Sequence, residues 1–321
     1  MNKSNILTSK ENYLDQIRLN KGIEKMKGAY NDLLSHNEEE ALDMLNSENL
    51  QFPTLFVLHG EIKKQRLLDK LNSRNKLALN IINTVFSDNI RFDSDEENHK
   101  TAKWMLETGY ESDGLNPHYD ELLDKVAVAL IKIYNDHDSL RIIEKLIYNR
   151  YNRGSYIYDL VWAFFESRNP ESIKMVVKRL LSKDSKDLEL SQKLLGFVPC
   201  PNRENEHDII FQYKYTSRWI SENLPYLCYT GDHFQQTPCP IPFELSLENK
   251  YLQNTTQLES PKNQRSYTED ELSILDDFRK LEPDKQELLS NHSHFLHKIS
   301  KKRWKKWINK SIADQIENVN L

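Results

Sequence analysis

Apolar side chains return at three- and four-residue steps from early in the chain: Leu14 and Ile17, then Ile23, Met26, Tyr30, Leu33 and Leu34. That period belongs to an amphipathic helix, and it predicts helices near residues 10–20 and 22–36. Further helices are predicted over 39–47, 54–71 and 75–87 and around Trp104, with the acidic stretch Asp93, Asp95, Glu96 and Glu97 ahead of the last. No segment before residue 200 alternates as a half-buried strand would. The expected fold class is all-α.

Residues 118–183 carry the helical pattern twice. Val126, Ala127, Ala129, Leu130 and Ile131 align with Leu160, Val161, Ala163, Phe164 and Phe165 at an offset of 34 residues. Ile142, Ile143, Leu146 and Ile147 align with Val176, Val177, Leu180 and Leu181 at the same offset. Pro170 falls in the first turn of its helix, where a missing N–H costs least. A further helix over Leu188 to Leu195 ends at Gly196, as a C-terminal glycine directs. This pattern resembles the HEAT-type helical repeats, in which paired antiparallel helices stack so that each unit buries the apolar face of its neighbour. The resemblance covers about 80 residues in two units and implies a geometry, since the tetratricopeptide and ankyrin motifs are both missing.

From Pro199 the composition changes: six of the 11 prolines lie between 199 and 242, interleaved with Tyr226, Tyr229, Phe234 and Phe243. Only Ile209 to Asn223 and Phe243 to Leu252 look helical there. The stretch from Asn223 to Pro242 is too proline-rich for helix or central strand and too aromatic for a solvated linker. It is expected to pack across the helical body. Gln253 to Ser266 is polar and contains Pro261, which suggests a boundary. Thr268 to Glu271 forms a capping box for a helix through about Leu281, Pro283 starts another, and a basic helix is expected over Ser293 to Val319. The expected organisation is a repeat-like domain over 1–198, a proline- and aromatic-rich segment over 199–252 packed on it, a linker over 253–266, and a C-terminal helical unit over 267–321.

Only 8 of the 321 residues are glycine, where average usage would give about 22. Doubly wound nucleotide folds and barrels spend glycine freely in turns, so both become poor fits. The three cysteines, Cys200, Cys228 and Cys239, form no pairable framework and suggest a reducing, cytoplasmic setting. Met1 to Lys10 has no apolar core, and Val126 to Tyr134, interrupted by Lys132, is too short to span a bilayer. The formal net charge is -5. Lys298 to Lys310 holds seven basic residues and no acidic one, so the rest of the chain carries -12.

Within that basic helix, Trp304, Trp307, Ile308, Ile312 and Val319 fall on one face, and Lys302, Arg303, Lys306 and Lys310 on the other. Such a helix can bury its stripe as core, approach nucleic-acid phosphates together with Lys301 and Lys305, dock its apolar stripe on a partner, or lie on an anionic membrane surface. His292, His294 and His297, and Cys228, His233 and Cys239 with Cys200 further back, have metal-ligand chemistry. Neither set has the spacing or ligand number of a defined centre, so no metal is expected. Asp93-x-Asp95-x-Glu97 opens like a calcium loop, but Asn98 and Trp104 stand where glycine and glutamate are needed.

The corner from Tyr148 to Gly154, followed by Tyr156 and Tyr158, concentrates Tyr and Arg, the types that dominate binding hot spots. Arg150, Tyr151, Arg153 and Tyr156 are its candidates for partner contact. Dinucleotide, P-loop, serine-hydrolase and zinc-protease motifs are all missing, and no cofactor is expected. DNA glycosylases built from HEAT-like repeats share the architecture alone, and the repeat region here is not markedly basic. The expected function is a non-enzymatic interaction or scaffold protein that uses its helical-repeat surface to engage a protein partner. Nucleic-acid binding through the basic helix comes second, and peripheral attachment to an anionic membrane third.

Overall fold

Short polar side chains start most of the helices. In the computed structural model, which describes residues 12–85, 92–199, 208–256, 258 and 266–319, Asn12 accepts from the Leu14 N–H to open α1 (Tyr13–Lys21). Gly22, at φ 87°, turns the chain directly into α2 (Ile23–His36), a backbone conformation that favours glycine. Asn37 caps α3 (Glu38–Asn46), Pro53 sits in the first turn of α4 (Phe52–Lys64), and α5 spans Ser73–Val85. Asp95 caps α6 (Glu96–Gly109), Asn116 caps α7 (Pro117–Lys132), and α8 spans Leu140–Arg153.

The helix expected over 54–71 stops early. Arg66 takes a left-handed φ of 55°, and the Leu67 N–H donates back to the Ile62 carbonyl at 3.1 Å, which closes α4 with a Schellman-type end. A single 3-10 turn, Leu68–Lys70, replaces the remainder.

Contacts divide the chain into two compact units, Met1–Arg150 and Tyr151–Leu321, with the division in the last turn of α8. In the first unit, α4 packs on α5 and α6, and α6 on α7. Tyr119 lies at the centre of their core, with its ring 5.7 Å from Phe52 and 4.9 Å from Phe56. Its hydroxyl donates to the Gly109 carbonyl at 2.9 Å, so a buried polar atom is satisfied.

The second unit continues with α9 (Tyr158–Glu166), α10 (Pro170–Arg179), α11 (Ser185–Leu194) and α12 (Ile209–Asn223). The two stretches aligned at an offset of 34 residues fall on α7 with α8 and on α9 with α10. Their first helices bury the aligned positions, Val126 to Ile131 in one and Leu160 to Phe165 in the other, with Lys132 and Trp162 among the residues left more open. The turn inside each pair recurs as well. Asn135 and Arg168 both sit at φ 52°, and each is followed by a capping side chain, Asp136 or Asn169. The all-α architecture is compatible with a helical repeat.

After α12 come two short antiparallel strands, β1 (Leu227–Tyr229) and β2 (Phe243–Leu245), with Cys228 opposite Glu244. Proline density argues against strand in this region, yet Pro225, Pro238, Pro240 and Pro242 all lie outside the three-residue ladder. The helix expected over 243–252 is shortened to α13 (Leu247–Leu252), capped by Ser246.

The capping box at Thr268 opens α14 (Glu269–Phe278), followed by α15 (Pro283–Ile299). The expected basic helix is broken at Ser300, which adopts extended backbone (φ -159°, ψ 105°) and caps α16 (Lys301–Ile308) through its hydroxyl. α17 spans Ile312–Val319. Tyr251, Leu252, Leu275, Phe278, Leu289, Trp307 and Ile308 form one core, against which Trp304, Ile312, Ile316 and Val319 pack. The stretch 259–265 and Cys200 lie outside the described residues. Among those residues no helix is long and apolar enough to cross a membrane.

Candidate binding cleft and basic surface

Two segments singled out by the sequence meet in the second unit. The end of α8 supplies Tyr151, and the turn after it runs through Gly154, whose φ of 72° is a left-handed conformation, to Ser155 and Tyr158. The proline- and aromatic-rich loop supplies Phe234, Pro238, Cys239 and Pro240. Lys186, Glu189 and Lys193 on α11 complete the walls of a cleft of about 550 Å³. That volume lies in the range of small-molecule and side-chain pockets.

Its mouth is aromatic. The Tyr156 and Tyr158 rings are 4.8 Å apart, and Phe234 stacks on Tyr158 at 5.2 Å with an interplanar angle of 17°. Tyr156 remains 50% exposed and Tyr158 38%, although each is large and apolar over most of its surface. The Gln235 amide holds the loop to this end by donating to the Tyr156 hydroxyl at 3.4 Å and to Asp159.

The polar wall is fully engaged. Lys193 donates to Glu189 at 2.7 Å and to the Tyr151 hydroxyl at 2.9 Å, while Tyr151 donates to Glu189 at 2.8 Å. Hydrogen bonds to Glu189 and Tyr151 push the Lys193 pKa up, and those from Lys193 and Tyr151 hold Glu189 down. Both side chains are therefore held in their charged forms at neutral pH. A proton-transfer group needs a pKa near the working pH, so this arrangement suits fixed polar contacts and not acid–base exchange.

Arg150 is placed elsewhere. It is 2% exposed, with its guanidinium donating to Asp113 at 2.7 Å and to Asp124 at 2.6 Å. Burial alone would lower its pKa, but the two carboxylates outweigh burial and hold it charged. Arg153 is exposed at the end of α8. Of the four corner candidates, Tyr151 lines the cleft and Tyr156 joins the aromatic mouth.

The histidines are separated by their partners. His292 lies 5.1 Å from the Trp307 ring, His294 meets the Tyr226 hydroxyl at 3.1 Å, and His297 packs edge-on to Trp304 at 5.1 Å. Cys228 is half-buried on β1 with its thiol pushed up by burial, whereas Cys239 is exposed beside the cleft. His233 lies in the loop with its Nδ1 buried and unbonded. Among the described residues no three His, Cys, Asp or Glu side chains gather as a metal group.

On α16 the two faces have different fates. Trp307 and Ile308 are buried, and Trp304 donates its indole N–H to Ser293 at 2.7 Å. Lys301, Lys302, Arg303, Lys305, Lys306 and Lys310 are all exposed. Two residues that the sequence reading passed over, Phe295 and Ile299 on α15, are each 57% exposed. Their signal was available in the sequence as apolar positions too numerous for one core-facing stripe on α15. Comparison of the chain with known protein families, with curated proteins and with solved structures finds no match in any of the three.

Proposed function

We propose that the protein is a non-enzymatic interaction protein and that the cleft beside Tyr158 takes an extended segment of a partner protein. The observation that carries this reading is the aromatic cluster in which Tyr158 stacks on Phe234 in the wall of a formed cleft and Tyr156 stands exposed against Tyr158. Tyrosine supplies large contact area for little conformational entropy, and exposed aromatics in concave surroundings are the usual anchors of recognition. Pro238 and Pro240, on the same loop as Phe234, line the cleft with rigid rings. The all-α architecture, compatible with a helical repeat, supports the same reading, because helices present side chains on rigid elements.

Cys239 provides the test. A photoreactive maleimide on this exposed thiol in a Cys200→Ser chain sits at the cleft, while burial keeps the Cys228 thiol protonated and slow. On irradiation in native extract, one defined partner protein is expected to crosslink, and Tyr158→Ala is expected to weaken its affinity by at least about tenfold. No adduct, or an adduct indifferent to Tyr158→Ala, overturns the reading.

A further inference from the structure

The charges on α16 work against its own helix. Lys301, Lys302 and Arg303 occupy the first turn, where the helix dipole disfavours cations, and Lys302 and Lys306 repel one another at i,i+4. Several lysines elsewhere are paired, as Lys100 with Glu96, Lys125 with Glu121 and Lys280 with Asp277, while others such as Lys63, Lys64 and Lys214 are not paired among the described residues; on α16 the unpaired cations are gathered on one short helix. The five cations of α16, and Lys310 just past its end, have no side-chain hydrogen bond or ion pair among the described residues. The helix is held by its Ser300 cap and by burial of Trp307 and Ile308, in spite of its charges. A local arrangement that opposes its own helix, with nothing among the described residues to offset it, marks a surface selected for something outside.

A second feature adjoins it. Leu288, His292, Phe295 and Ile299 lie at i, i+4, i+7 and i+11, one stripe of α15, with Leu288 41% and Phe295 and Ile299 each 57% exposed. The stripe meets the buried face of α16 at His292 and adjoins the cations at its Ile299 end. His292 packs against Phe295 at 6.5 Å and against Trp307 at 5.1 Å, and Ile299 is separated from Lys301 by Ser300 alone.

We propose that the exposed stripe of α15 and the cations of α16 together form a docking surface for an anionic phospholipid bilayer, with Phe295 and Ile299 entering the headgroup region and the lysines meeting lipid phosphates. The contact is peripheral. Interfacial binding draws on buried apolar area and on attraction to anionic lipid, and this surface offers both. A nucleic-acid duplex would use the cations and leave the Phe295–Ile299 stripe without a role. The Trp stripe of α16 is not the apolar contact, because Trp307 belongs to the core.

The test is co-sedimentation of the full chain with vesicles of phosphatidylcholine alone, with vesicles containing phosphatidylserine, and with duplex DNA as a competitor. Binding is expected only to the phosphatidylserine vesicles and should fall with added salt. Lys302→Gln with Lys306→Gln should weaken it roughly fivefold per lysine. Phe295→Ser with Ile299→Ser should weaken it as well, with unchanged helical circular dichroism showing that these exposed substitutions leave the fold intact. Absence of binding to the anionic vesicles overturns the proposal. So does binding to DNA with no response to Phe295→Ser and Ile299→Ser, which would assign the cations to nucleic acid.

Discussion

Replacing Arg150 with methionine leaves Asp113 and Asp124 in the interior without the guanidinium between them. Breaking a buried pair from one side costs about 3–5 kcal/mol. Arg150→Met is therefore expected to lower the stability read from urea unfolding by that amount, while Tyr151→Phe, which removes a rim hydroxyl, should cost under about 1 kcal/mol. Two arginines in one short corner look alike by residue type, yet helix phase separates them. Arg150 continues the buried line Ile143, Ile147, and Arg153 lies past its end. That phase was present in the sequence. The carboxylates that satisfy Arg150 come from 26 and 37 residues away and could not be read locally.

Trp307 shows how an element is fixed from one side. Its ring is buried in the C-terminal core, and its indole N–H has no hydrogen-bond partner. Trp307→Ala should destabilise by about 3–5 kcal/mol in thermal or urea unfolding. Trp307→Phe keeps a ring and removes the unbonded donor, so it should cost clearly less. α15 adds a pH dependence. Burial lowers the pKa of His292, His294 and His297, with nearby cations adding to the effect at His294 and His297. The unfolded chain, with histidine near about 6.5, then binds more protons than the folded one below that value. Stability present above pH 6.5 is thus lost as pH falls through it. The melting temperature should drop between pH 7.5 and 5.5, and drop less in a chain with all three histidines changed to Gln. Helix starts are legible where a cap is read, as at Thr268 and at Asn169 before Pro170; at Asp184 the cap was passed over, and α11 starts at Ser185, three residues before the expected Leu188. The break at Arg66 was not legible, because arginine is not a residue type that ends helices; Ser300 is a cap residue, but the helical period continues on both sides of it and hides the break.

At the scale of the whole chain, a net charge of -5 hides an acidic body and one basic helix. The two should act separately on ion exchangers: at pH 7.5 and low salt the protein is expected to bind both an anion and a cation exchanger, despite a pI near 6.1. Lys302→Gln with Lys306→Gln should elute earlier from the cation exchanger. The all-α class was legible because it rests on a short period. The cleft was legible only as its two halves, the tyrosine corner and the proline-rich segment. Their meeting depends on packing between residues some eighty positions apart, as at Gln235 and Tyr156. One wall of that cleft has a further property. The chain between β1 and β2 leaves and returns through a clasp made by the strand pair and by Thr230, which bonds the Pro242 and Ile241 carbonyls. With the ends clasped, a change in the length of what lies between adds only about 0.6 kcal/mol of closure entropy per doubling. Residues 231–241 can therefore be exchanged as a cassette, which makes the cleft a place where descendants of this chain could acquire new preferences without refounding the helices that carry it.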